Sequence, residues 1–235
     1  MGVPIKKSYL FDPDILAILF DARPATQVPF LRNALRTFNN SITDEEKFAD
    51  MELGLLKPII TGSKSVSADA LDNWIKAAEV VGVDDAILDG LKGNFVKYDF
   101  GNLKIRASDG QIMILNEGQI TNDGETALRL AELRNSLSDC YKVASPIYKL
   151  SYFLEFQKVY VSAWKSTNIE FINPLFHRIK SAFESLEKVV EIKEDLNDCF
   201  KPMNIISLVH ANQEIIRLMP MLLSKMVYDE QKSAV

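Results

Sequence analysis

The positions of glycine and proline divide this chain into two halves of different character. All ten glycines lie at or before Gly124, and the residues that follow contain none. In that glycine-free half, Pro146, Pro174 and Pro202 are evenly spaced. Proline is tolerated in the first turn of a helix and disfavoured in its interior. We therefore predict helix starts at Pro146 and Pro174, a weaker start at Pro202, and a second half built of long helices.

Apolar residues recur at helical spacing from about residue 125 onward. The pattern predicts four long helices, which begin near residue 125, at 146, at 174 and near 203, with Pro220 kinking the last one. The second helix extends to about 166 and the third to about 199. Four helices of this length joined by short links are typical of an antiparallel four-helix bundle. We therefore predict a C-terminal antiparallel helical bundle over residues 119–235.

The first half combines shorter helices with a segment of strand character. Helices are predicted over about 12–22, 29–40, 43–56, 65–81 and 84–91, with Gly82 ending the fourth and Trp74 anchoring a small core. Three short antiparallel strands are predicted over about 95–100, 102–107 and 111–115, separated by Gly101-Asn102 and Ser108-Asp109-Gly110.

The order of these elements resembles that of a winged helix-turn-helix module. The resemblance implies that helix 65–81 is the second helix of the turn motif and that the loops between strands form a wing. The expected fold is therefore mostly α. An N-terminal helical, winged-helix-like module over residues 1–118 carries a small antiparallel β-meander, with strands near 95–115, and the helical bundle follows it.

Charge limits the use of such a module for DNA binding. The net charge of −5 argues against broad, sequence-independent binding to nucleic acid. Helix 65–81 also carries Asp69, Asp72 and Glu79, which are unfavourable close to phosphates. Only residues 91–115 are locally basic. The candidate DNA contacts are Lys64, Lys97, Lys104 and Arg106, but a protein partner is the favoured use of the module.

An aromatic residue recurs at every fourth position of predicted helix 146–166. The five residues are Tyr148, Tyr152, Phe156, Tyr160 and Trp164. Together with the aliphatic residues between them, they leave little polar surface, and a helix that is apolar nearly all round is buried. The favoured interpretation is a central helix of the bundle. The alternative is a surface for self-association or for a partner, because aromatic residues are enriched at interfaces.

Sequence signatures of enzymes and metal sites are missing. The chain has no glycine-rich phosphate loop, no G-x-S-x-G and no H-E-x-x-H, and its two histidines, His177 and His210, have apolar neighbours. Acidic residues around 191–198 lack the Glu-x-x-His motif of di-iron bundles. Cys140 and Cys199 are expected to be buried, reduced thiols. We therefore predict no catalytic residues, no cofactor and no metal.

The sequence predicts a cytoplasmic, soluble protein, because it shows neither a secretory signal nor an apolar stretch long enough to span a bilayer. The favoured function is that of a non-enzymatic regulatory or adaptor protein, whose partner is another protein or a second copy of itself, with DNA as a further candidate. One alternative is a structural assembly protein, such as a viral nucleoprotein or coat subunit. A second alternative is a helical pore-forming toxin component, although residues 95–115 are highly charged for membrane insertion.

Overall fold

The structure is a computed structural model that describes residues 2–41, 44–60, 66–67, 69–97, 103–106, 112–113, 124–164, 169–196, 199–201 and 203–233. At residues 93–97, 103–106, 112–113, 124–126, 169 and 233 it describes the backbone alone. These parts of the chain are mostly helical, as predicted. Their helices are α1 Lys7–Leu10, α2 Pro13–Leu19, α3 Gln27–Ser41, α4 Glu45–Ile60, α5 Ala70–Val81, α6 Asp85–Asn94, α7 Gly124–Val143, α8 Pro146–Ala163, α9 Ile169–Leu186 and α10 Gln213–Ser233. Their strands are β1 Val3–Lys6, β2 Phe95–Lys97, β3 Leu103–Arg106, β4 Ile112–Met113 and β5 Val190–Lys193.

Several helix ends lie where local sequence signals predict them. The Asp12 carboxylate accepts hydrogen bonds from the backbone N–H groups of Asp14 and Ile15 at 2.9 and 3.1 Å, and Pro13 opens α2. The Ser145 hydroxyl caps α8 in the same way, with Pro146 as its first residue. Gly82 follows α5 with a φ of +96°, in the left-handed region that favours glycine.

Two predicted helix starts in the second half are wrong. Pro174 lies inside α9, which begins at Ile169, and α10 begins at Gln213 rather than near residue 203. Pro220 lies inside the last helix, as predicted. A proline in a helix interior removes one backbone hydrogen bond, and packing of the apolar helix face can offset that loss. Helix α9 also ends at Leu186 instead of continuing to 199, and the chain then forms strand β5.

The chain divides into two compact units, and the division differs from the predicted one near residue 118. The central unit is the continuous stretch Ser41–Ile169, and the terminal unit combines Met1–Asn40 with Glu170–Val235. Helices α7 and α8 therefore belong to the central unit, whereas α9 and α10 belong to the terminal unit. The prediction that residues 119–235 form one bundle is corrected accordingly: contacts between elements distant in sequence decide the grouping.

The terminal unit brings the two ends of the chain together. Strands β1 and β5 pair in parallel, with Val3 opposite Val190 and Lys6 opposite Lys193. A Cβ at Gly2 would lie 2.8 Å from the Val190 carbonyl carbon, so this approach requires glycine. Edge-to-face aromatic pairs lie in the core of this unit, Phe11 with Phe38 and Phe20 with Phe183.

The central unit packs α4 against α7 and α5 against α8 around one hydrophobic core. Trp74 is fully buried there, as predicted, and its ring centroid lies 5.4 Å from that of Phe156. The Trp74 indole N–H donates to the Glu52 backbone carbonyl at 3.0 Å, which satisfies the one polar atom of a large buried side chain.

Within the described residues, β2, β3 and β4 pair antiparallel in that order. The remainder of the predicted strands, and both predicted wing loops, Gly101-Asn102 and Ser108-Asp109-Gly110, lie outside the described residues. The winged-helix arrangement of the N-terminal module is therefore not confirmed and stays a prediction.

Candidate interaction surface

Two of the four basic positions predicted to contact DNA share one face of the small sheet. Lys64 lies outside the described residues. Val96 pairs with Lys104, and Lys97 pairs with Leu103. Successive positions of a strand lie on opposite faces, so positions 104 and 106 share a face, and position 97, paired with position 103, lies on the other one. The register thus brings Lys104 and Arg106 to one face without Lys97, and DNA contact at these residues stays a prediction.

The aromatic residues of α8 do not form one continuous surface. Phe156 is fully buried in the core of the central unit, and Tyr152 is half-buried with its ring 5.9 Å from that of buried Tyr141. Tyr148 and Tyr160 are 42% and 52% exposed. Each four-residue step advances about 40° around a helix, which carries successive rings from one environment to the next.

The two exposed tyrosines each pair with an aromatic neighbour. The ring of Tyr148 lies 6.1 Å from that of Tyr152, and the ring of Tyr160 lies 5.5 Å from that of half-buried Trp164. Helix α8 is thus not buried all round, and a partner contact through its exposed aromatic rings stays a prediction.

A buried carboxyl group is the main polar feature that sequence reasoning missed. Glu52, on α4, is 2% exposed, and its Oε1 accepts a hydrogen bond from the buried Tyr141 hydroxyl at 3.3 Å. Burial raises the pKa of Glu52 well above its ordinary value, and it also raises the pKa of Tyr141. The Ser138 hydroxyl, one turn before Tyr141 on α7, is buried without a hydrogen-bond partner in the described residues. The positions of these groups in the core make them structural rather than accessible to a substrate.

The remaining candidate reactive groups give no chemical site within the described parts of the chain. These parts contain no cluster of three His, Cys, Asp or Glu side chains suited to a metal ion. Cys140 and Cys199 are half-buried and form no disulfide there. Burial raises the pKa of the Cys140 thiol, which reduces its thiolate fraction and hence its nucleophilicity at neutral pH.

Among the described residues, three of the four most exposed large apolar side chains lie in one short segment of the terminal unit, residues 203–209, which we call the apolar segment. The fourth, Val143, lies in the central unit. Met203, Ile205 and Val209 are 81%, 90% and 81% exposed. The segment is not helical, although its apolar residues predicted the start of the last helix. Its half-buried residues, Ile206 and Leu208, alternate with the exposed ones, as in an extended chain with one face on the protein.

An asparagine turn directs the chain into this extended course. The backbone N–H of Lys201 donates to Asn204 Oδ1 at 3.0 Å, and Asn204 Nδ2 donates to the Lys201 carbonyl. Asparagine side chains that bond nearby backbone groups compete with helix formation. Asn204 is therefore the sequence signal that could have identified a turn at this point.

The chain around the apolar segment and one face of α10 enclose an open groove of about 370 Å³. The lining is largely apolar and includes one residue of each charge. We call it the α10 groove, and its lining residues are Phe200, Lys201, Asn204, Ile206, Leu223, Met226, Val227 and Glu230.

A second groove, of about 460 Å³, lies between α6 and α7 in the central unit. The Arg129 guanidinium lies over Gly90, with Nη1 2.6 Å from where a Cβ would be. Exposed apolar surface in this groove is provided mainly by Leu128, which is 62% exposed. The α10 groove, beside three highly exposed apolar side chains, is the stronger candidate for an interaction surface.

No helix in the described residues combines the length and apolar character needed to cross a lipid bilayer. Comparison with known proteins gives no match: no family model fits the chain, and no curated protein or solved structure is significantly similar to it.

Proposed function

We propose that this chain is a non-enzymatic regulatory or adaptor protein that acts through protein–protein contacts at the apolar segment and the α10 groove. The observation that carries the proposal is the exposure of Met203, Ile205 and Val209, each by more than four-fifths, within seven residues. Single exposed apolar residues are common on protein surfaces, but a contiguous apolar patch marks an interaction site.

The segment needs the groove to make a stable contact. Burying three aliphatic or methionine side chains contributes about 5–9 kcal/mol, at about 1.5–3 kcal/mol each. Association costs an estimated 4–15 kcal/mol in lost translational and rotational freedom, and ordering side chains adds to this cost. The segment alone therefore falls short of tight binding. The accessible apolar lining of the groove, with half-buried Leu223 and exposed Val227, supplies the further area.

The chemistry of this surface suits packing rather than proton transfer. Its central side chains are apolar, and the carboxyl group with the strongly raised pKa, Glu52, is buried in the central unit instead. The assignment as a non-enzymatic protein is supported by this separation of the accessible surface from the perturbed acid.

Site-specific cross-linking in the native host cell tests the proposal. A photo-reactive phenylalanine derivative replaces Ile205 in one version of the chain and Val143 in a control. Val143 is 87% exposed and lies in the central unit, so the two probes are equally accessible. We expect a discrete cross-linked protein from position 205 and none of comparable yield from 143. A probe at 205 that gives no discrete product, or the same products as the probe at 143, would contradict the proposal.

A further inference from the structure

We propose that the apolar segment and the α10 groove form a self-complementary surface that binds a second copy of this chain in a closed, two-fold dimer. This inference rests on the proposed function and specifies its partner. It is drawn from three properties of the surface: its shape, its charge and its extent along α10.

The surface has a protruding part and a recessed part side by side. Met203, Ile205 and Val209 are each more than four-fifths exposed, and the groove opens next to them with Leu223 and Val227 in its lining. In a two-fold interface, if residue i of one copy contacts residue j of the other, then j also contacts i. The apolar segment of each copy can thus occupy the groove of the other, and both features are used twice.

The charges of the surface favour a second copy over a strongly acidic or basic partner. The chain has a net charge of −5, but residues 203–209 contain no ionisable side chain, so two copies meet there without repulsion. The groove contributes one cation, Lys201, and one anion, Glu230, and neither forms an ion pair among the described residues. A two-fold arrangement places Lys201 of each copy near Glu230 of the other, whereas a highly charged partner would be repelled by one of them.

The apolar surface continues along α10 beyond the groove. Ile216 lies on the same helical face as Leu223 and Val227, since these positions are separated by seven and four residues. Ile216 and Val227 are 47% and 54% exposed. From Ile216 to Glu230 this face extends for about 20 Å at 1.5 Å per residue. A strip of this length, together with the apolar segment, is long enough to form a protein–protein interface rather than a single binding pocket.

Sedimentation velocity of the purified 235-residue chain over a concentration series tests the inference. We expect a reversible dimer of twice the 26.5 kDa chain mass. Ile205→Lys should weaken it by at least about tenfold, because a charge enters the desolvated centre of the contact. Val143→Lys is the matched control: it adds the same charge at an equally exposed position and should leave the dimer unchanged. Both positions are exposed, and equal melting temperatures confirm that each variant is folded.

A charge swap tests the two-fold geometry independently of the apolar contact. Lys201→Glu or Glu230→Lys alone should weaken the dimer by roughly threefold to tenfold, since each places like charges together twice per dimer. The double variant, Lys201→Glu with Glu230→Lys, should restore the wild-type affinity. A dimer that responds to the single changes without being restored by the double change would overturn the two-fold pairing.

The other outcomes separate this inference from the proposed function. A chain that is monomeric at every concentration, an association insensitive to Ile205→Lys, or growth into large polymers would overturn the closed dimer. In the cross-linking experiment, a product of twice the chain mass from position 205 supports both proposals. A product of another mass supports the proposed function and overturns self-association, and the absence of any discrete product contradicts both.

Discussion

At the scale of single residues, Glu52 shows that the burial of a side chain can differ from what its neighbours in sequence predict. It lies in a helix that opens with acidic residues Glu45 and Glu46, both of which remain at least partly exposed, yet Glu52 itself is 2% exposed. The hydrogen bond from Tyr141 favours the ionised form of Glu52, but the loss of water around the carboxylate is the larger effect and raises its pKa. The core therefore favours the protonated acid.

This burial makes the stability of the chain depend on pH. The folded state binds more protons than the unfolded state between the ordinary pKa of Glu52 and its raised value. The contribution of Glu52 to stability is thus fully present below its ordinary pKa and is lost as pH rises through the raised one. Glu52→Gln should remove this dependence and stabilise the chain at pH 7 by roughly 1–3 kcal/mol, because an amide carries no charge into the core.

Urea unfolding at several pH values between 4 and 8 measures the effect, with Glu132→Gln, at an exposed site on α7, as the control. The control should follow the wild type at every pH. Two results would contradict the assignment. One is a free energy of unfolding that, relative to the Glu52→Gln variant, increases in the wild type as the pH is raised toward 8. The other is a Glu52→Gln variant that is less stable than the wild type at every pH.

At the scale of elements, local chemistry decides some helix ends and packing decides others. Asp12, Ser145 and Gly82 act on backbone groups within four residues of themselves, and the sequence therefore predicts their helix ends correctly. Pro174, by contrast, is predicted from the sequence to open a helix but lies inside α9. Its cost is one hydrogen bond, which burial of the apolar face of α9 offsets, and that burial is not visible in local sequence.

Replacing either of two glycines by alanine should change the free energy of unfolding, and the two changes should have opposite signs. Gly82→Ala should destabilise the chain by about 1 kcal/mol, since its φ of +96° is unfavourable for an L-residue while no heavy atom lies within 4 Å of an added Cβ. Gly54→Ala, inside α4 and with equally open surroundings, should stabilise by up to about 1 kcal/mol. Urea unfolding of both variants checks this prediction, and shifts of the same sign would refute it.

At the scale of the whole molecule, the chain forms two units whose boundaries follow contacts rather than sequence character. The change in glycine content at Gly124 separates regions of different composition, but α7 and α8 pack with α4 and α5 in the central unit. The terminal unit depends on pairing between β1 and β5, which are separated by most of the chain.

This division predicts which fragments fold. Residues 41–169 form one continuous unit with its own core, so the fragment should unfold cooperatively and show dispersed amide resonances. Residues 119–235, the division expected from sequence, combine two helices of one unit with part of the other and should lack a cooperative transition. Circular dichroism melting and NMR of both fragments make the comparison, and the reverse result would support the boundary near residue 118.

The sequence by itself determines the mostly helical character of the chain and the helix ends at Asp12, Ser145 and Gly82, because these features arise from hydrogen bonds and backbone preferences over a few residues. It also marks Trp74 as a core residue. Only the tertiary structure decides that Glu52 is buried, that residues 203–209 lie exposed beside α10, and that the two ends of the chain share one unit. The burial of Glu52 and the grouping of the two ends depend on surfaces contributed by segments far apart in sequence, whose burial free energy exceeds the local preference. Met203, Ile205 and Val209 stay exposed because no described segment covers them.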